Sequence, residues 1–278
     1  RARRACYGGQ MSTPPPPRIL SIAGSDSSGG AGIQADIKTI TMLGGYAMTA
    51  ITAITAQNTL GVQGVAGITP EMVTQQIASC VDDIGVDAVK IGMLAAPDVI
   101  RAVAGALEGV DVPIVLDPVM IATSGAVLVG PEAVAALRET LFPRAALITP
   151  NLPELEHLAG RTLPTHEAMV EAAQDLAEKT VAAVLAKGGH ATGDVITDVL
   201  IVPGKPPVSF THARIETRHT HGTGCTLSSA IATVLGRGES LPDAVRLARD
   251  FVRRAIEAAP GYGAGSGPLG HQAVRATG

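Results

Sequence analysis

From Arg18 onward, short apolar runs of strand length alternate with longer segments of helical period. The strand-length runs are Ile19–Ala23, Ala88–Ile91, Ile114–Asp117, Ala146–Thr149 and Ala183–Lys187. Such alternation is typical of βαβ units, and runs without a polar alternation indicate strands that are buried on both faces. The sequence therefore predicts an α/β fold with a mostly parallel sheet.

The segment Glu71–Ile84 shows the helical pattern most cleanly. Its apolar residues Val73, Ile77, Cys80 and Val81 recur at three- and four-residue spacing, which places Cys80 on the core face of a helix. Further helices are predicted over Ile33–Leu43, Asp98–Leu107, Pro131–Leu141, His166–Lys179, Thr226–Leu235 and Pro242–Ala258.

Two stretches break the alternation because strand-like runs follow each other without a helix between them. These are Met48–Gln57 with Val62–Ile68, and Val195–Val202 with Val208–Phe210. We expect antiparallel pairing in both places, with a small β flap.

The 278 residues suit a single large α/β domain. We predict that residues 1–17, which are basic and then proline-rich, form a disordered or expression-derived extension. The folded domain is placed at residues 18–260, and the glycine-rich segment 261–278 is expected to be a loosely ordered tail.

The composition excludes several classes of protein. A net charge of −4 and an aromatic content of 2% argue against nucleic-acid binding. No run approaches the ~18 apolar residues that span a bilayer, so no membrane partner is expected. The three cysteines, Cys6, Cys80 and Cys225, have neither metal-type spacing nor an even count, which favours a reducing, cytoplasmic location.

In an open α/β sheet, ligands bind beyond the carboxyl ends of the strands. The residues that follow the predicted strands are therefore the candidate site residues. They are Gly24-Ser25-Asp26, Gly92-Met93, Asp117-Pro118-Val119, Asn151 with Glu154, and Lys187-Gly188-Gly189.

The glycine cluster after the first strand has two possible functional interpretations that the sequence disfavours. Gly30, Gly32 and Ala35 fit the dinucleotide pattern G-x-G-x-x-A, but residues 49–59 lack the acidic residue that would bind the ribose. Gly24 and Gly29 have P-loop spacing, but Gly30-Ala31 occupies the place of the required Lys-Ser/Thr. A tight turn with close strand–helix packing is the alternative.

The strongest local signal is Gly222-Thr223-Gly224-Cys225, which leads directly into a helix. Glycines at a helix start leave backbone N–H groups uncovered, and the helix dipole favours negative charge there. This pattern predicts an anion hole that stabilises a phosphoryl group in transfer, with a plain helix cap as the alternative. A helix N-terminus should also lower the pKa of the Cys225 thiol and suit it to act as a base, unless it is a buried packing residue.

Each of two further motifs has two possible roles when it is judged from its residues alone. Asn151 and Glu154 could supply oxygen ligands for Mg²⁺ or could form an ordinary capping box. Lys187 could extend to solvent or contact a phosphate, and the adjacent Gly188-Gly189 favours phosphate.

Taken together, the motifs resemble those of the hydroxymethylpyrimidine/phosphomethylpyrimidine kinases of thiamine biosynthesis, within the ribokinase-like superfamily. The matching segments follow the family order and span about residues 18–259. They are Gly24–Asp36, Ala56–Thr59, Lys90–Leu94, Leu116–Met120, Thr149–Glu154, Lys187–His190 and His221–Cys225.

The resemblance implies a ribokinase-like three-layer sandwich that transfers the γ-phosphate of ATP to 4-amino-5-hydroxymethyl-2-methylpyrimidine and then to its monophosphate. Gln57 would hydrogen-bond the aminopyrimidine in a pocket with Gly24, Asp36, Met93 and Val119. The resemblance further assigns Gly222, Thr223 and Gly224 to the anion hole, Cys225 to the base, Lys187 and Asn151 to the nucleotide, and Asp117 with Glu154 to Mg²⁺. We also expect a homodimer.

Much of the superfamily carries Asp where this chain has Cys225, so the sequence departs there from the wider pattern while agreeing with the pyrimidine kinases. Two other functions stay open. One is pyridoxal or pyridoxine kinase activity, and the other is a non-catalytic pyrimidine sensor.

Overall fold

A computed structural model describes residues 15–120, 130–189 and 193–274. His190 and the predicted extension up to residue 14 lie outside the described residues, as do residues 275–278. No helix within the described ranges is both long enough and apolar enough to cross a membrane.

The described residues form one nine-stranded sheet with helices on both faces. The strands are β1 (Arg18–Asp26), β2 (Tyr46–Asn58), β3 (Gly61–Gly67), β4 (Ala88–Ile91), β5 (Ile114–Leu116), β6 (Leu147–Ile148), β7 (Ala183–Ala186), β8 (Val195–Ile201) and β9 (Val208–Ala213). The helices are α1 (Gly32–Met42), α2 (Pro70–Asp83), α3 (Pro97–Ala106), α4 (Pro131–Ala136), α5 (Leu152–Ala159), α6 (His166–Thr180), α7 (Thr223–Leu235) and α8 (Leu241–Glu257).

The strand order is β3-β2-β1-β4-β5-β6-β7-β8-β9. The six strands from β2 to β7 in this order pair in parallel, as predicted, whereas β3 at one edge and β8 and β9 at the other are antiparallel. The predicted antiparallel pairing is thus present in both stretches, and β3 forms the solvent-exposed edge of the sheet.

Two apolar layers sandwich the sheet. Helices α2 to α6 cover one face, and α1, α7 and α8 cover the other. Strands β4 and β7 are buried at every residue because they are covered on both sides. Cys80 is half-buried and packs against the first layer, in agreement with its predicted place on the core face of α2.

Sequence periodicity explains most of the helices. Helix α8 buries Ala244, Val245, Ala248, Phe251 and Val252 at helical spacing, and the opposite face is charged. The helix predicted over Pro131–Leu141 is α4 continued by a π-helical turn at Leu137–Leu141. Helix α5 was not among the predicted helices, although Asn151 and Glu154 are its capping signal.

The glycine-rich segment after α8 packs against the rest of the domain as far as Val274. The Ser266 N–H donates to the Thr59 carbonyl at 3.0 Å, and the Gly270 N–H donates to the Ala255 carbonyl at 2.8 Å. An added Cβ at Gly265 would lie 2.0 Å from the Thr59 carbonyl oxygen. The glycines therefore permit close backbone packing rather than flexibility.

Candidate active site

The carboxyl ends of the parallel strands bring a lysine and a carboxylate together. Asp117 follows β5 and Lys187 follows β7, and the Lys187 Nζ lies 2.8 Å from Asp117 Oδ1. The Thr149 hydroxyl, at the end of β6, donates to the same oxygen at 2.9 Å. Asp117 is almost fully buried and Lys187 is only 13% exposed, so the pair lies just beneath the surface at the carboxyl ends of the strands, a region that we call the cleft.

The start of α7 lies directly against this pair. An added Cβ at Gly224 would be 3.2 Å from Asp117 Oδ2 and 3.4 Å from Lys187 Nζ. Gly222 precedes the helix with φ +85°, and a Cβ there would be 1.8 Å from the Gly30 carbonyl oxygen. Glycine is therefore required at position 222, and the helix N-terminus faces the charged pair.

The amides at this helix start divide into two groups. The Thr223 N–H donates to the Thr220 carbonyl at 3.2 Å, so this member of the predicted anion hole is already engaged. Across the described ranges, no protein acceptor takes the N–H groups of Gly224 and Cys225, and no side chain caps the helix. Two backbone donors are therefore available beside Lys187.

The expected lowering of the Cys225 pKa is wrong. Burial raises the pKa of this thiol to about 11, and the carboxylates of Asp36 and Asp117 add to the rise, while the ammonium of Lys90 opposes it. Loss of hydration outweighs both the Lys90 ammonium and the hydrogen bond from the Gly32 N–H to the sulfur, each of which lowers the pKa of the thiol. The group is a neutral thiol near pH 7.

Asn151 and Glu154 form a complete capping box at the start of α5. The Asn151 Oδ1 accepts from the Glu154 N–H at 2.9 Å, and Glu154 Oε2 accepts from the Asn151 N–H at 2.8 Å. The pKa of Glu154 is nevertheless raised to about 7, first by burial, with Lys187 opposing and Asp117 adding to the rise. Glu154 therefore serves the cap and also belongs electrostatically to the Lys187–Asp117 cluster.

Asp36 does not reach the surface of a pocket, contrary to prediction. Its side chain is 0% exposed and pairs with Lys90 at 2.8 Å. Both of its oxygens are engaged further, since Ser21 donates to Oδ2 at 2.5 Å and Ser229 donates to Oδ1 at 2.6 Å. Asp36 therefore joins α1, β1, β4 and α7 beneath the cleft, because a buried carboxylate must be paired.

The other residues predicted for the pyrimidine pocket lie at neighbouring strand ends. Met93 follows β4 and contacts Gly24 of β1, where an added Cβ would be 2.6 Å from the Met93 Cε. Val119 is half-buried and follows Asp117. Gln57, near the end of β2, lies across the cleft with its Nε2 3.4 Å from His221 Nε2.

A buried Asp26–His221 pair is a feature that sequence reasoning missed. His221 Nε2 lies 2.8 Å from Asp26 Oδ2, and Asp26 also accepts from the N–H groups of Ser28 and Ala31. Although burial opposes ionisation, these hydrogen bonds lower the pKa of Asp26. The ionised carboxylate only accepts, so His221 carries its proton on Nε2. The pair joins the first glycine-rich turn to the loop before α7.

A cavity of about 240 Å³ opens beside this pair. It is lined by Gln57, Asn58, Thr59, Leu60, Gly61, His221, Gly265 and Ser266. The C-terminal segment forms one wall, and the His221 N–H donates to the Gly267 carbonyl at 3.1 Å. In the sequence, Asp26 lies at a strand end and His221 directly precedes Gly222, and these positions could have indicated the pair. The C-terminal wall of the cavity had no local sequence signal.

A three-layer α/β sandwich with an open helix N-terminus over a lysine–carboxylate pair defines a class of small-molecule kinases. The sequence matches the family described as phosphomethylpyrimidine kinase over residues 26–270. The chain belongs to this family, and the predicted ribokinase-like fold is confirmed.

Individual relatives agree with this assignment. The hydroxymethylpyrimidine/phosphomethylpyrimidine kinase of Bacillus subtilis is 46% identical over 93% of this chain and 96% of its own length. The one from Escherichia coli is 44% identical over 91% of this chain and 96% of its own length. The chain spans 52% of the bifunctional thiamine biosynthesis protein ThiED of Geobacter sulfurreducens, at 46% identity over 91% of this chain.

Solved structures give the same fold. An ADP complex of Bacillus subtilis pyridoxal kinase has a TM-score of 0.87 at 38% identity and covers 94% of this chain and 99% of its own. A phosphomethylpyrimidine kinase from Clostridium difficile has a TM-score of 0.76 at 39% identity and covers 86% of this chain and 99% of its own.

Proposed function

We propose that this chain transfers the γ-phosphate of ATP to the hydroxymethyl group of 4-amino-5-hydroxymethyl-2-methylpyrimidine, and then phosphorylates the resulting monophosphate, in thiamine biosynthesis. Family membership supports this activity. The observation that carries it is the placement of Gly224, at the open start of α7, within contact distance of both Lys187 and Asp117.

The geometry suits phosphoryl transfer because this reaction needs positioned positive charge more than covalent chemistry. The free N–H groups of Gly224 and Cys225, shaped by Gly222 and Thr223, provide the anion hole. Lys187 adds a full positive charge. Burial opposes its protonation, but Asp117 and Glu154 outweigh burial and raise the Lys187 pKa, so the ammonium form persists at neutral pH.

Cys225 is the proposed general base for the acceptor hydroxyl. A thiol with a pKa of about 11 is protonated in the free protein, so the role requires that the pKa falls when substrates bind. The cations Lys90 and Lys187 both interact with the Cys225 sulfur and favour its thiolate form.

Asp117 and Glu154 are the proposed Mg²⁺ ligands, and Asn151 is the proposed contact to the nucleotide. The described residues contain no cluster of three metal-binding side chains. Two carboxylates nevertheless suit Mg²⁺, which completes its coordination with water and substrate phosphates. The raised pKa of Glu154 reflects burial and a nearby carboxylate, an environment that a cation would relieve. When bound, the ion would neutralise phosphate charge during transfer.

Substrate recognition is assigned to the strand ends opposite the helix. The carboxamide of Gln57 offers a donor and an acceptor to an aminopyrimidine edge. Gly24 packs closely against the Met93 side chain, and Met93 and Val119 provide apolar contacts. Asp36 lies beneath these residues and supports them through its buried ion pair with Lys90.

A coupled assay of ADP release tests the activity against a panel of hydroxymethyl heterocycles, and phosphorus NMR identifies the mono- and diphosphate products. Lys187→Met should abolish turnover, because its ammonium lies at the transfer site. Lys179→Met, on the exposed face of α6, is the matched control and should retain full activity. Absence of turnover with any pyrimidine, despite tight ligand binding, would indicate a sensor instead.

Pyridoxal kinase activity is the second candidate, because structures of pyridoxal kinases superpose closely, with TM-scores of 0.87 and 0.84. The ratio of kcat/KM for the hydroxymethylpyrimidine and for pyridoxal decides between the two substrates. A clear preference for pyridoxal would overturn the assignment.

We also propose that the chain works as a cytoplasmic homodimer. The exposed edge hairpin of β2 and β3 supports dimerisation, since Ile54 and Val65 are 51% and 55% exposed. The use of ATP and the free thiols of Cys80 and Cys225 suit the cytoplasm. Light scattering on the purified protein measures the mass, and a monomer would refute the dimer.

A further inference from the structure

Hydrogen bonds on both sides of Lys187 hold its backbone in place. The Lys187 N–H donates to the Pro150 carbonyl at 2.9 Å, which ties the end of β7 to the loop after β6. On the other side, the Gly188 N–H donates to Asp198 Oδ1 at 2.8 Å, and this hydrogen bond is buried. The second contact comes from β8, the antiparallel strand between β7 and the edge strand β9, which supplies none of the residues placed in the site above.

Close packing makes this second contact specific. An added Cβ at Gly188 would lie 2.1 Å from the Thr197 carbonyl oxygen, so the backbone after Lys187 packs directly against the backbone of β8. Only glycine allows this approach, and it brings the Gly188 N–H within reach of Asp198. The turn that presents Lys187 therefore depends on where the Asp198 carboxylate is held.

Asp198 is itself held by a partner on α8. Arg249 Nε donates to Asp198 Oδ2 at 2.7 Å, and the two side chains are only 11% and 9% exposed. The Arg249 guanidinium lies over the Phe210 ring at 5.6 Å and also lies 2.6 Å from His212 Nδ1. Burial, with the charge of Arg249, lowers the pKa of His212, so this ring is a neutral acceptor. The carboxylate is thus fixed by a buried, fully engaged network.

We propose that Asp198, oriented by Arg249, is a positioning residue for nucleotide binding: it fixes the Gly188 backbone so that the Lys187 ammonium meets the ATP phosphates. The inference rests on the proposed function of Lys187. It assigns a specific task to the β8–β9 edge and to α8, which otherwise lie outside the site.

The expected effect is selective for the nucleotide. Asp198→Ala removes the acceptor of the Gly188 N–H and leaves Arg249 without its buried partner. A displacement of Lys187 by a fraction of an ångström should raise the KM for ATP about 10-fold. The KM for the pyrimidine should stay within about 2-fold, because the strand ends of β1, β2 and β4 are untouched.

Two further variants separate positioning from stability. Asp198→Asn keeps a carbonyl oxygen for Gly188 and should recover most of the ATP affinity, whereas both Asp198 variants should lower the melting temperature. Arg249→Met should raise the KM for ATP like Asp198→Ala. Arg254→Met is the matched control on the same helix, since the ion pair of Arg254 with Asp250 at 3.9 Å is exposed; it should change neither constant.

The experiment measures both KM values, and calorimetry with a non-hydrolysable ATP analogue gives Kd independently of turnover. A rise for ATP alone in Asp198→Ala and Arg249→Met supports the proposal. Unchanged ATP affinity in folded variants, or equal rises for both substrates, overturns it. If the unmodified chain turns over no pyrimidine, the proposed substrate fails, and the analogue Kd still decides the role of Asp198.

Discussion

Protonation of His271 should destabilise the fold in mildly acidic solution. This side chain is buried against α7, with its Nε2 2.8 Å from the Thr226 hydroxyl. Burial, with a contribution from the nearby Lys38, lowers its pKa from 6.5 to about 4. The neutral ring therefore fits the native state, while the unfolded chain binds a proton at much higher pH.

The direction and size of the pH effect on stability follow from the difference between the pKa of His271 in the folded and in the unfolded chain. Stability is unaffected above pH 6.5, where the imidazole is neutral in both states, and it falls as the pH drops from 6.5 towards 4. At about 1.4 kcal/mol per pKa unit, the loss reaches roughly 3 kcal/mol below pH 4 and roughly 2 kcal/mol at pH 5. For a chain of this size, 2 kcal/mol lowers Tm by roughly 4–8 °C.

His271→Gln isolates this contribution, because the glutamine oxygen can still accept from Thr226 but cannot titrate. Thermal melts from pH 4.5 to 8 should show similar Tm values at pH 8 and a variant that is the more stable one at pH 5. The comparison with the variant is needed because protonation of Glu154, whose pKa is raised in the folded chain, changes stability in the opposite direction as the pH falls. His157→Gln, on the exposed face of α5, is the control. Parallel curves for His271→Gln and the unmodified chain would refute the reasoning.

Three substitutions test the cleft itself. Cys225→Ala should lower kcat about 10²-fold with little change in KM, as for loss of a base, while Cys80→Ala should be silent; near-normal turnover would remove Cys225 from the mechanism. Gln57→Ala should raise the KM for the pyrimidine about 10-fold and leave that for ATP unchanged, and an unaltered pyrimidine KM would contradict the pocket. Gly222→Ala places a Cβ 1.8 Å from a carbonyl oxygen at φ +85° and should cost about 2 kcal/mol or more and abolish transfer. Gly105→Ala, where a Cβ meets open space, should be tolerated, and equal tolerance at both positions would exclude the tight contact.

Much of the fold was predictable because its signals are local. Five of the six parallel strands are mostly apolar runs, and the rule that ligands bind beyond their carboxyl ends pointed to Asp117 and Lys187, which do meet at 2.8 Å. The helical spacing of apolar residues located α2 and α8, because this spacing is also a local signal. Each of these features depends on residues that are near one another in sequence.

The parts that were missed depend on distant contacts. The raised pKa of Cys225 arises from burial of the thiol in the folded chain, which no local pattern reports. Asp36 was assigned to the pocket from its motif, but the buried Lys90 that engages it lies 54 residues away. The C-terminal glycines read as flexible because their partners, such as Thr59, occur some 200 residues earlier.

The Asp26–His221 pair has a consequence for how the chain acquires activity. Its two members are separated by 195 positions, and the contact between Thr59 and Gly265 closes a loop of 206. Closing such long loops is slow and entropically costly, so the cleft should be among the last regions to assemble. During synthesis, the growing polypeptide would remain unable to hold nucleotide until nearly all of it has emerged, and no shorter fragment that stops before His221 should retain partial catalysis.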